Sequence, residues 1–213
     1  MNKTWILVFL FYLSQIADSY SQEWKYRFGA GVDFNLPNYA ISNVKNGTSR
    51  AASRTWGLGL NGLVEASPNR HFAIQSGLSL KLLGAQLTYS EFGKTNVVQR
   101  TYWAQLPLNF VFKVPLRDSS NFYASAGPYG GFGLFGSNEF SDNYTGTKQD
   151  FSFGNSATQQ RLDYGLNFQL GYKLSKGYQI GFGYQHGLQD IAPENARYEQ
   201  RNRSWSASLA VSF

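Results

Sequence analysis

The chain has 213 residues, of which 42% are hydrophobic, 17% aromatic and 15% charged, with a formal net charge of +6 and no cysteine. The charged fraction lies well below the roughly 25% of a soluble domain, yet mean hydropathy is -0.35 and no apolar run reaches the ~20 residues of a membrane helix. These values exclude a helical membrane protein, a disordered chain and a disulfide-stapled fold.

The N-terminus reads as an address. Met1-Asn2-Lys3 is a short basic start, and Trp5 to Leu13 is an apolar core of signal-peptide length. Ser19 and Ser21 fit cleavage before Gln22, so residues 1–21 are expected to be a signal peptide and 22–213 one exported domain. Losing Lys3 and Asp18 leaves the net charge unchanged.

From Trp24 the period becomes two. Trp24, Tyr26, Phe28, Ala30, Val32 and Phe34 alternate with Lys25, Arg27, Gly29, Gly31, Asp33 and Asn35, which is strand spacing with one apolar face. The same rhythm returns at Trp56–Val64, Phe72–Leu82, Tyr102–Val114 and, more weakly, Phe122–Leu134. Tyr164–Leu174, Tyr178–Tyr184 and Trp205–Phe213 complete eight segments. Short connectors (Ser67–Arg70, Leu116–Ser120, Ser175–Gly177) alternate with long polar ones, read as loops over Asn35–Arg54, Thr88–Gln99, Gly136–Gln160 and Gln189–Arg203. An eight-stranded antiparallel meander then gathers the short turns at one end and the long loops at the other.

Eight strands close into a barrel whose interior just accommodates side chains. The face rich in Trp, Phe and Leu would overfill that interior, whereas the Gly-rich polar face fits it. The expected fold is therefore an all-β, up-and-down transmembrane barrel with its apolar face toward lipid. Closure is required there, because an open sheet edge in hydrocarbon leaves backbone groups unpaired. Trp56, Tyr102, Tyr164 and Trp205 fall at the loop-side rim, and Trp24, Phe72, Phe122, Tyr178 and Phe213 at the turn-side rim, as two aromatic belts.

The chain resembles the PorT-like family of small outer-membrane β-barrels of Bacteroidetes-type bacteria. The marks are Trp56-Gly57-Leu58-Gly59, Leu106-Pro107-Leu108, Gly127-Pro128, Gly165, Gly183-Tyr184 with Gly187-Leu188, and the closing Leu209-Val211-Phe213. Gly183 departs from the family pattern, which places a basic residue before the Tyr. The resemblance implies an outer-membrane location, recognition of Phe213 by the outer-membrane assembly machinery, and a link to protein secretion for the family's named member.

Strand parity sorts the charged residues. Lys25, Arg27, Asp33, Glu65, Lys81, Lys113, Asp163 and Lys173 are expected to face inward as a polar network that plugs the lumen. Arg54, Arg100 and Arg203 share parity with the lipid face at the loop-side rim, where a guanidinium fork matches the phosphates of lipopolysaccharide. Arg161 is expected to point inward. His71 and His186 are the two histidines, and His186-Gly187-Leu188 has Leu where a deacylase-like His-x-Ser would carry its nucleophile. Catalytic residues, metal ligands and cofactors are therefore expected to be none. The expected function is a non-enzymatic envelope role, structural or partner-binding, with lipid A modification or a small-solute pore as alternatives. Expected partners are lipid, lipopolysaccharide and envelope or secretion-system proteins, and not nucleic acid.

Overall fold

The computed structural model describes residues 24–42, 50–89, 95–141, 148–154, 158–196 and 198–213. The expected signal peptide lies outside these residues. Ten strands form one antiparallel sheet: β1 (Lys25–Ser42), β2 (Arg50–Ser53), β3 (Gly57–Ser67), β4 (Phe72–Tyr89), β5 (Thr95–Pro115), β6 (Asn121–Ser141), β7 (Lys148–Phe151), β8 (Leu162–Lys173), β9 (Tyr178–Gly187) and β10 (Glu199–Ser212).

Eight of them form a ring in the order β1–β3–β4–β5–β6–β8–β9–β10, with β10 returning to β1. The closing seam runs from Gly29 opposite Ser212 to Ser42 opposite Glu199. Two backbone hydrogen bonds extend it by one pair, Phe28 N to Phe213 O at 3.1 Å and Phe213 N to Phe28 O at 2.9 Å. The short β2 and β7 pair with β4 and β6 at the loop end, where each continues the line of an interrupted neighbour.

Three turns and both ring termini share one end. Asn69 Oδ1 caps the β3–β4 turn by accepting from the amides of His71 (2.8 Å) and Phe72 (2.9 Å). Ser120 donates to Asp118 (2.6 Å) in the β5–β6 turn and receives the Tyr172 hydroxyl (2.9 Å). Gly177, at φ +89°, makes the tight β8–β9 turn in a conformation that favours glycine.

The apolar face points outward through the membrane-spanning part of every ring strand: Phe28, Leu60, Leu80, Leu106, Phe132, Leu170, Phe182 and Leu209 are all exposed. Pairs of rings mark the rims. Tyr102 stacks on Phe135 (4.4 Å) and Tyr184 packs tilted against Trp205 (4.5 Å) at the loop side, and Phe72–Phe112 (5.4 Å) and Phe122–Tyr172 (4.9 Å) mark the turn side.

The loop end departs from the sequence expectation. Much of Asn35–Arg54, Thr88–Gln99, Gly136–Gln160 and Gln189–Arg203 is strand, not loop: β1, β4, β5, β6 and β10 run on past the aromatic belt. The alternation inverts there. On β4 the inward residues change from Ser79 and Lys81 to Leu83, Ala85 and Leu87, while the outward ones change from Leu78 and Leu80 to Gln86 and Thr88. A strand above the lipid meets water outside, so it reverts to the pattern of a soluble barrel. A bulge in β6 at Leu134 shifts the register against Tyr102 and Trp103 and leaves both Leu134 and Phe135 facing out.

Candidate functional site

The lumen is organised in tiers, and the ring strands bring each one together. At the turn end, Lys113 from β5 and Glu65 from β3 make a buried ion pair of 2.6 Å. Ser67 joins it, receiving from Lys113 at 2.9 Å and donating to Glu65 at 3.2 Å. Arg27 from β1 lies 3.9 Å from Glu65 and is half exposed, and Lys173 from β8 is buried. Lys25, one pleat nearer the chain start, is exposed rather than enclosed, because it sits where the strand leaves the ring.

At mid-height Lys81 reaches Asp33 (3.8 Å) and the Gln185 carbonyl (3.5 Å). A cavity of about 120 Å³ surrounds this pair, lined by Asn61, Asn109, Tyr123, Gln169 and Gln179 among others. Its lining mixes polar and apolar groups in about equal measure, and it is large enough for several ordered waters. Inward glycines make room for the larger rings: a Cβ on Gly181 would come within 2.8 Å of the Tyr123 hydroxyl, and Gly171 abuts the same ring.

Higher still, Asp163 Oδ2 accepts from Tyr129 (2.9 Å) and from the Asn202 amide (2.8 Å), tying β6, β8 and β10 together. Above that the lining turns apolar. Trp103, fully buried, donates to Thr101 (2.9 Å) and meets Phe153 edge-on at 5.2 Å. Phe151 stands edge-on to Phe153 at 4.9 Å, and Tyr39, Leu83, Leu87 and Ile191 complete one cluster. Gly133 and Gly136 seat the two Phe rings. The segments carrying Phe153 and Ile191 are tied together, with Gln160 N bonded to Ile191 O (2.9 Å) and Asp190 accepting from Ala192 and Gln200. The loop end of the lumen is thus filled by a hydrophobic core.

The rim arginines differ in their engagement. Arg54 is exposed. Arg100 pairs with Glu139 at 3.1 Å and lies over the Trp56 ring at 5.7 Å. Arg203 donates to the carbonyls of Gly187 and, at 2.9 Å, Asn202. Arg161 is exposed rather than inward: it precedes the first residue of β8, so strand parity does not bind it, and it lies over Phe132 at 5.4 Å. His186 faces outward beside Tyr184, with ring centres 6.1 Å apart. Among the described residues no group of three His, Cys, Asp or Glu could hold a metal ion, and no helix is long and apolar enough to cross a membrane.

Sequence reasoning missed Trp103, Tyr123, Tyr129 and Asn202 as lumen residues. Their positions carry the signal: Trp103 lies between outward Tyr102 and Ala104, and Tyr129 between Pro128 and Gly130.

A family model described as outer membrane protein beta-barrel domain matches residues 15–192. Among solved structures, the outer membrane protein OprG from Pseudomonas aeruginosa aligns at TM-score 0.50 and 13% identity, over 88% of this chain and 95% of that one. Ail of Yersinia pestis, solved in complex with the heparin analogue sucrose octasulfate, aligns at TM-score 0.44 and 11% identity over 89% and 99%. Neisserial surface protein A aligns at TM-score 0.44 and 10% identity over 87% and 97%. No curated relative matches the sequence.

Proposed function

Since the chain belongs to the outer membrane protein beta-barrel domain family, we propose that it is a non-enzymatic membrane-anchored platform whose loop end binds a partner protein in the envelope. One observation carries this reading. Among the described residues a buried apolar cluster around Trp103, Phe153 and Ile191 packs at the loop end of the lumen, which favours a folded surface over a channel mouth. A pore would keep a continuous polar path through this level, and an enzyme acting on lipid esters would need a nucleophile where Leu188 stands beside His186.

The likeness to PorT-like barrels supports a partner belonging to protein secretion. Tagged purification from native membranes in mild detergent, followed by mass spectrometry, tests this. A stoichiometric secretion component supports the reading, and recovery of the barrel with lipopolysaccharide alone removes it. In planar bilayers the wild-type barrel is expected to show no stable conductance steps, and steady ion-conducting steps would favour the pore.

The lipid partner at the rim is lipopolysaccharide, met by Arg54 and Arg100. The stacking of Arg100 on Trp56 holds its guanidinium at the lipid–water boundary. Arg203 contributes charge from the same level while bonded to backbone. Lipopolysaccharide should raise the unfolding temperature, and Arg54→Ala with Arg100→Ala should reduce that rise. Phe213, 79% exposed, is available at the seam for the assembly machinery. Phe213→Ala should slow insertion without changing the folded barrel.

A further inference from the structure

We infer that a recess on the lipid face at the turn end seats an acyl chain of an anionic phospholipid whose phosphate meets Arg70 and Arg117. The first observation is shape. An apolar recess of about 460 Å³ lies on the outside of the ring across β4, β5 and β6, lined by Phe72, Ile74, Phe110, Phe112, Ala124 and Ala126 among others. In the register Phe112 stands between Phe72 and Ala124, and Phe110 between Ile74 and Ala126. The barrel surface therefore steps down from β5 to β6 at both levels.

Beyond the recess β6 stays low. Its next outward residues are Pro128 and Gly130, and a Cβ on Gly130 would meet no atom within 4 Å. Ala124 to Gly130 spans about 20 Å at strand rise. With the usual strand tilt that is ~15 Å of depth, half of a ~30 Å hydrocarbon core. It is the depth that a lipid chain of one leaflet occupies. In hydrocarbon, contacts form by van der Waals packing and not by exclusion of water, and an unfilled recess forfeits them. A flexible methylene chain fills such a shape.

The second observation is charge at the turn-side end of the recess. Pro68 lines that end, and Arg70 follows it in the turn that Asn69 caps. Arg117 sits in the turn joining β5 to β6, the strands that carry Phe112 and Ala124. Both arginines are exposed, and neither has an acidic partner among the described residues. Lys25, Arg27 and Lys176 are also exposed at this end, against a single exposed acid there among the described residues, Asp118. The short turns of such barrels face the periplasm, where the leaflet is phospholipid. A basic rim draws anionic headgroups, and a guanidinium fork fits phosphate oxygens. The site lies at the opposite leaflet from Arg54 and Arg100, so it stands independently of the lipopolysaccharide and partner readings.

The test uses the full chain in mild detergent, with dioleoyl phosphatidylglycerol as the probe and phosphatidylcholine of the same chains as the control, read by native mass spectrometry. Wild type is expected to retain one phosphatidylglycerol roughly tenfold more readily than phosphatidylcholine. Arg70→Gln with Arg117→Gln should bring phosphatidylglycerol down to the phosphatidylcholine level. Ala126→Phe, which fills the recess, should lower retention of both lipids. The gel mobility difference between unheated and heated samples establishes that each variant is a closed barrel. If the double variant does not close, the contrast between Ala126→Phe and wild type decides. Equal retention of the two lipids by wild type, or retention unchanged in either variant, would overturn the site. A lipid-free dimer that Ala126→Phe dissociates would also overturn it and assign the recess to a second copy of the chain.

Discussion

Strand β4 obeys opposite patterns in its two halves. From Phe72 to Leu82 the outward residues, Ser76 excepted, are apolar and the inward ones small or polar, and from Leu83 to Thr88 the assignment is reversed. The backbone and its pairing to β5 are continuous through the change. Only the solvent outside differs. In lipid the outward face takes hydrophobic side chains and the lumen keeps what little water there is. Above lipid the outward face is wet, and the hydrophobic effect drives the apolar side chains inside. The membrane band is held by hydrogen-bond closure and a paired polar lumen, the loop end by a core of the ordinary kind.

The largest expected effect breaks the loop-end core. Trp103→Ala removes its fully buried indole and should cost about 3–5 kcal/mol, the usual range for such a truncation. Val98, on the opposite face nearby, should tolerate Ala within about 1 kcal/mol. Urea unfolding in lipid vesicles measures both. Limited proteolysis from the loop side should attack Trp103→Ala first near residues 148–160, while fragments of the membrane band stay intact.

The next prediction moves one charge between the two regions. Leu106 points into lipid and is 64% exposed, so Leu106→Arg should cost about 2–4 kcal/mol. Gln86 is also outward but lies above the belt, and Gln86→Arg should be neutral within about 0.5 kcal/mol. Equal costs at both sites would mean that the lipid boundary does not fall between them.

The membrane half of this comparison was legible in the sequence, and the loop-end half was not. Period-two apolar faces from Trp24 to Phe34 and from Phe72 to Leu82 give strands and their outward side directly. Past Phe34 the chain reads Leu36, Asn38, Ala40 and Ser42 outward against Asn35, Pro37, Tyr39 and Ile41 inward. That contrast is too weak to announce a strand, and the prolonged pairing with β10 decides it. Trp103 was hidden by its neighbour Tyr102, which took the belt role. The bulge at Leu134 defeats simple parity in β6. Lys25 and Arg161 show the limit of parity at strand ends, where alternation no longer fixes a side chain's environment. The charged lumen residues Asp33, Glu65, Lys81, Lys113, Asp163 and Lys173 all lie within the strands, so the fold brings them inward.

A smaller effect is expected where the tiers meet. Tyr129→Phe leaves Asp163 Oδ2 with the Asn202 amide alone and should cost about 1.5–3 kcal/mol as one lost hydrogen bond to a carboxylate. Tyr129→Phe with Asp163→Asn should recover part of that loss, since the neutral amide needs less solvation. A double-mutant cycle measures the coupling.

The smallest effect lies at the turn end. Asp118 is exposed, and the Ser120 hydroxyl bonded to it holds its carboxyl below the ordinary carboxylate value. A lowered folded value means that this contact stabilises the barrel above about pH 4. The contribution fades as pH falls through the lowered value. Asp118→Asn should lower neutral-pH stability slightly, leave stability at acid pH unchanged and so flatten the acid limb of the stability curve.

The inversion itself is tested most directly by a scan of single cysteines along β4, from Leu78 to Thr88, in a chain that has no cysteine of its own. Each variant is placed in lipid vesicles and labelled either with an impermeant thiol reagent or with a fluorophore quenched by brominated lipid. The account predicts lipid quenching at positions 78, 80 and 82, aqueous labelling at 86 and 88, and protection from both at 83, 85 and 87. Lipid quenching that continues through 86 and 88, or free aqueous labelling at 83, 85 and 87, would contradict it.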